Sequence, residues 1–153
     1  MKKLFRLTQE GINELKDELK ALIAQRRPIA ERIKQARELG DLSENAEYQT
    51  AREEQDRLEI RISELEHILK NVQLIRKPKV DGQVRLGSTV KLKGRGGRVQ
   101  EYMVVGTVEA DPLDGKISDE SPIGKALIGK KVGEAVKIKT PAEAATYKVI
   151  DIA

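Results

Sequence analysis

The chain has 153 residues, with 29 Lys plus Arg against 25 Asp plus Glu, so it has room for one ordinary domain or two small ones and little linker. With no cysteine and a single histidine, His67, it excludes disulfides, thiolate metal sites, cysteine nucleophiles and histidine-based metal clusters. At 35% charged and 39% apolar it is heavy in charge for a compact globule, and 3% aromatic residues argue against a base-stacking platform.

No charge-free stretch approaches the roughly 20 apolar residues of a membrane span. Met1-Lys2-Lys3-Leu4-Phe5-Arg6 lacks the apolar run of a secretory signal. These features predict a cytoplasmic protein with no membrane partner.

From the amino terminus, Thr8 is placed to cap a helix. Ile12, Leu15, Leu19, Leu22, Arg26, Ile29, Ile33 and Ala36 then follow at steps of three and four, a heptad seam with one polar member. Pro28 removes a backbone donor, but the seam keeps phase across it, so a bend rather than a break is expected, with the helix running to about Leu39. From Ile12 to Gly40 such a helix would span about 42 Å.

The spacing returns at Tyr48, Ala51, Gln55, Leu58, Ile62, Leu65, Leu69 and Val72. A turn near residue 42 would make an antiparallel coiled-coil hairpin with Ala36 opposite Tyr48, Ile33 opposite Ala51, Leu22 opposite Ile62 and Ile12 opposite Val72. Arg26 and Gln55 fall in neighbouring layers, where polar residues fix register.

Pro78 and Asp81-Gly82 end the helical pattern, and the charge changes there from 14 basic and 15 acidic residues over 1–75 to 15 and 10 over 76–153. This sets domains at 1–76 and 80–153. In the second, Thr89 to Lys93, Gln100 to Val108, Ala135 to Lys139 and Tyr147 to Ile152 alternate as strands, and Gly94-Arg95-Gly96-Gly97 is a hairpin turn. Ser121 to Gly129 reads as a short helix with Pro122 in its first turn and Gly129 as its stop. The fold class is therefore α+β: a helical hairpin, then a small mostly antiparallel sheet with one helix.

Candidate chemistry lies where the seams meet, at Gly40-Asp41-Leu42-Ser43-Glu44-Asn45-Ala46-Glu47-Tyr48. Two readings compete. Asp41 and Glu44 can form a capping box at the start of the second helix. Alternatively, three apart on one face, they offer oxygen ligands to Mg2+, which takes one or two carboxylates and finds its other ligands elsewhere. Gly124 to Lys131 nearly spells a phosphate-binding loop, but Lys131 replaces the required Ser or Thr and a strand follows.

The Gly40–Tyr48 segment, flanked by Ala36-Arg37-Glu38 and Ala51-Arg52-Glu53, together with Arg26-Arg27-Pro28 and Ser121-Pro122-Ile123-Gly124-Lys125-Ala126-Leu127-Ile128-Gly129-Lys130, resembles the bacterial Gre transcript-cleavage factors, nearer their GreA branch than their GreB branch. The likeness spans essentially the whole chain. It implies an FKBP-like second domain that docks on RNA polymerase at the rim of the secondary channel, with Ser121, Pro122 and Ile123 as docking residues. It implies a hairpin tip entering that channel, where Asp41 and Glu44, assisted by Ser43, stabilise a magnesium ion shared with the polymerase. Arg37 and Arg52 resemble the family's basic patch facing the nascent RNA 3′ end. The implied protein is a monomeric accessory factor, not itself an enzyme, that stimulates cleavage of backtracked RNA. A channel-binding regulator without cleavage activity is the alternative.

Overall fold

The computed structural model describes residues 3–41, 45–76, 82–139 and 144–153. In chain order the elements are β1 (Phe5–Leu7), α1 (Gln9–Glu38), α2 (Ala46–Lys70), β2 (Val72–Leu74), β3 (Thr89–Lys93), β4 (Val99–Val105), β5 (Lys116–Ser118), α3 (Pro122–Leu127), β6 (Ala135–Lys139) and β7 (Ala144–Ile152). They form two compact units: a helical one over Ile12–Asn71, and a sheet unit combining Lys3–Gly11 with Val72–Ala153. No helix among the described residues is long and apolar enough to cross a membrane.

In the helical unit, the seam positions Ile29, Ile33, Ala51, Leu58 and Ile62 are buried in one cluster, with Leu19, Leu22 and Tyr48 packed at its margin. A fully buried Ile or Leu contributes about 1.5–3 kcal/mol, so a few such layers hold two otherwise polar helices together. Ion pairs along the edges read out the direction. Arg32 pairs with Glu54, Arg26 with Glu59, and Glu18 with Arg61, so the partner on α2 moves up the chain as that on α1 moves down. The helices are antiparallel, in agreement with the sequence register. α1 is continuous through Pro28.

Three details differ from the sequence reading. α2 ends at Lys70 with Asn71 as its C-cap, so Val72, expected in the helical seam, belongs to β2 and pairs with Phe5. Ile68, off the predicted seam, is buried at the end of α2. Arg26 is an exposed side chain that reaches across to Glu59 with two nitrogens, rather than a polar layer inside the seam.

The sheet unit has strand order β5-β4-β3-β7-β6, antiparallel except where β4 and β5 run parallel. Alternation decides the faces: in β3, Val90 and Leu92 are buried while Lys91 and Lys93 are exposed. Val84, Val104, Leu127, Val136, Ile138 and Val149 complete the core. β4 stops at Val105, short of the expected Val108, because Thr107–Glu109 turns as a 3-10 segment. The hairpin turn uses Gly96 and Gly97 at φ 83° and 79°, a region that favours glycine.

Residues 3–11 join this unit through a parallel pair, Phe5 opposite Val72 and Leu7 opposite Leu74. The domain limits of 1–76 and 80–153 read from sequence thus differ from the observed division, since a strand at each end of the hairpin pairs with the other. Thr8 is the N-cap of α1: its Oγ1 accepts from Gly11 N at 3.1 Å. The Glu109 side chain, only 3% exposed, in turn accepts from Thr8 N at 2.8 Å and from Thr8 Oγ1 at 2.6 Å.

Candidate functional site

At the turn of the hairpin, α1 ends at Glu38, Gly40 takes φ 120°, and Asp41 follows as an exposed residue outside any helix. Ser43 and Glu44 lie outside the described residues. Asn45 is the N-cap of α2, its Oδ1 accepting from Tyr48 N at 3.1 Å. Asp41 is therefore not the cap, and the Asp41–Glu44 capping box is not what starts the helix. Because α2 begins at Ala46, the carboxylate of Asp41 sits in the segment between the two helices.

Asn45 makes a second bond, from Nδ2 to the carbonyl of Ala36 at 2.6 Å. Tyr48, the first seam residue beyond the tip, is half-buried, and the Arg37 guanidinium lies 5.9 Å from its ring centroid, within cation–π range. Arg52 donates to Gln55 Oε1 at 2.8 Å. Both arginines are exposed, and helical phase puts them on one flank of the hairpin.

The opposite flank is a groove of about 490 Å³ lined by Arg32, Gln35, Leu39, Ala46, Glu47 and Thr50. Along it Arg32 donates to Glu54 at 2.6 Å, which holds the Glu54 carboxyl below its ordinary value and raises the arginine. Arg32 and Glu54 are thus paired with each other on that flank, with Glu47 beside them.

Among the described residues no group of three or more acidic or histidine side chains gathers that could hold a metal ion. Of the two carboxylates singled out in the sequence, only Asp41 lies among the described residues, and it is exposed.

The second candidate site, Ser121-Pro122-Ile123, lies at the start of α3. Ser121 is its N-cap, accepting from Gly124 N at 3.0 Å and donating to the carbonyl of Ser118 at 2.6 Å. Ile123 packs against the core, and Pro122 is exposed. Of the three, Pro122 is exposed while Ser121 and Ile123 are half-buried. Sequence reasoning missed Gly124: a Cβ there would come within 1.9 Å of the Ser118 carbonyl, so the helix approaches β5 only because position 124 lacks a side chain. It also left Asn45 without a role, although a capping residue immediately before a periodic run was the available signal.

The family profile "Transcription elongation factor, N-terminal" matches residues 5–74, and "Transcription elongation factor, GreA/GreB, C-term" matches residues 78–153. The chain is 48% identical over 149 residues to transcription elongation factor GreA of Thermoanaerobacter pseudethanolicus, covering 95% of each. It is 46% identical over 153 residues to that of Clostridioides difficile, covering 98% of this chain and 96% of the relative. Among solved structures, the GreA factor homolog 1 (Gfh1) protein of Thermus thermophilus is 31% identical across 99% of each chain, with a TM-score of 0.46.

Proposed function

The chain belongs to the GreA/GreB family of transcription elongation factors, and from that premise we propose that it stimulates cleavage of backtracked RNA by RNA polymerase, placing its hairpin tip in the secondary channel. The observation that carries this reading is the position of Asp41: exposed, between the helices, with the capping role taken by Asn45 instead. A carboxylate needed only to start α2 would occupy position 45.

The working parts are few. Asp41 and Glu44 supply two oxygen ligands and the polymerase supplies the rest. Asp41 and Glu44 would hold a magnesium ion there, and the chemistry it would supply when bound is activation of water and neutralisation of charge on the leaving oxygen. Ser43 assists at the tip. Arg37 and Arg52 engage phosphates near the RNA 3′ end, with the Tyr48 ring supporting the Arg37 guanidinium. Pro122, presented by a start of α3 that Ser121 and Ile123 hold in place, docks on the polymerase. The protein acts as a single copy in the cytoplasm, and the reaction is the polymerase's own.

The test is release of short RNA from a defined arrested elongation complex. Asp41→Ala and Glu44→Ala should each reduce stimulated cleavage by about a hundredfold or more while leaving polymerase affinity within about twofold, since ligation and docking use different residues. Slowed elongation with no released RNA from the parent protein would instead identify a non-cleaving regulator.

A further inference from the structure

The outward face of the sheet separates its charges. Cross-strand register sets Lys91 of β3 between Glu101 of β4 and Asp151 of β7, so that lysine has an acidic neighbour on either side. Two residues further along β3 the compensation stops. Lys93 stands between Val99 of β4 and Lys148 of β7, Lys148 stands opposite Ala135 of β6, and Lys137 of β6 stands opposite Thr146 of β7. Lys93, Lys137 and Lys148 are all exposed, on three adjacent strands that span about 10 Å across the sheet.

The group continues past the end of β3. Arg95 and Arg98, both exposed in the turn between β3 and β4, line a groove of about 480 Å³ whose wall also holds Thr146. Because Thr146 is opposite Lys137 and two residues from Lys148, the lysine face and the arginine groove adjoin. Among the described residues none of these five cations is in an ion pair. Fold stability does not account for the placement. Like charges directly opposite each other on neighbouring strands cost free energy. Lysines that guard a sheet against pairing with another belong on its edge strands, whereas Lys93 and Lys148 are on β3 and β7, each of which has a neighbour on both sides.

We propose that Lys93, Lys137, Lys148, Arg95 and Arg98 form a docking surface for the phosphate backbone of double-stranded DNA. The chemistry selects the partner. Ammonium and guanidinium groups only donate hydrogen bonds, and the oxygens of a phosphodiester accept them. No aromatic residue stands on the outward positions of β3, β6 or β7, and Tyr147 of the groove packs against the core, so the surface offers no platform for the open bases of a single strand. Duplex RNA is recognised largely through its 2′-hydroxyls, and among the described residues Thr146 is the one exposed hydroxyl adjoining the five cations. A row of phosphates with its bases covered fits what is left. The surface belongs to the sheet unit and is independent of the cleavage reading.

The experiment follows fluorescence anisotropy of a short labelled DNA duplex of mixed sequence, titrated with the full chain at a series of salt concentrations. The parent's affinity should fall steeply with salt, with a slope of log affinity against log salt corresponding to about three to five phosphates. Lys93→Gln, Lys137→Gln and Lys148→Gln, all at exposed positions, should each lower that slope by about 1, and the triple variant by about 3. Lys91→Gln removes the same charge from the same face, beside Glu101 and Asp151, and should leave the slope at the parent's value. The double variant Arg37→Gln with Arg52→Gln should do the same. No binding to the duplex at low salt, an equal loss from Lys91→Gln, or a loss confined to the Arg37 and Arg52 variant overturns the proposal. Tighter binding to a single strand or to an RNA duplex of the same length overturns it as well, and polyglutamate that binds as tightly as the duplex would identify an acidic protein surface as the partner instead.

Discussion

The helical and sheet units are held together by different means. In the sheet unit, Val84, Val90, Leu92, Val104, Leu127 and Val149 are all fully buried in a single cluster fed by strands and a helix. The helical unit buries a one-sided seam, and the remaining faces of both helices are charged, joined across by Arg26–Glu59, Arg32–Glu54 and Glu18–Arg61. Exposed pairs of this kind contribute little, so the hairpin depends on its few apolar layers and its caps. The contrast explains where the candidate chemistry lies. A thin seam can end in a turn that leaves Asp41 exposed, whereas in the sheet unit two of the three residues singled out for docking are already committed to holding α3.

Core truncation tests the contrast most severely. Leu92→Ala, in a site enclosed on every side, should cost about 4 kcal/mol, and Ile62→Ala, where a neighbouring helix can close part of the cavity, about 2–3 kcal/mol. Chemical denaturation of the full chain checks both. Equal costs would mean that the seam is as rigidly packed as the sheet core.

A smaller effect is expected at Gly11. Alanine in place of a helical glycine ordinarily stabilises by about 1 kcal/mol. Here a Cβ would come within 2.2 Å of Glu109 Oε1, so the carboxylate must leave Thr8, and the net change should be a loss of about 1–3 kcal/mol. The sign of the measured change in unfolding free energy decides whether the buried Glu109 cap matters to the start of α1.

Much of this was legible in the sequence because it is local. The seams, the strands Thr89–Lys93 and Ala135–Lys139, the glycine turn between β3 and β4, and the helix capped by Ser121 each carry their signal within a dozen residues. What was hidden depends on distant partners. β1 and β2 are three residues each and too short for alternation to show, and Val72 keeps seam phase although it pairs with Phe5. β5 is likewise three residues, parallel to β4. Glu109 looks like the tail of a strand until Thr8, 101 positions away, is placed beside it. At the tip, the Asp41–Glu44 spacing fitted a capping box as well as a metal pair, and the observed start of α2 at Ala46, capped by Asn45, removes the first.

Smaller again, and on the functional side, are the two arginines of the basic flank. If Arg37 and Arg52 each engage one phosphate, replacing either by alanine should lower the slope of log affinity against log salt for the RNA-engaged complex by about 1. The deficit should then be largest at low salt. A slope equal to the parent's would make Arg37 a partner of the Tyr48 ring alone and Arg52 a partner of Gln55.

The smallest effect falls on the Arg32–Glu54 pair. Glu54 lies below its ordinary value of 4.5, first because Arg32 donates a hydrogen bond to it and then through the attraction of Arg32 and Arg57, against a partial opposing effect of burial. A carboxyl depressed in the folded state stabilises that state above its unfolded value, and the contribution is lost as pH falls through the folded value. The hairpin's unfolding temperature should therefore decline slightly as the solution is acidified below pH 4.5, and Arg32→Gln should flatten that part of the profile through a small loss at pH 7 that disappears at low pH. A loss from Arg32→Gln that persists undiminished at low pH would mean that the arginine acts through packing along the tip groove, and the edge pairs would then share the work of the apolar seam.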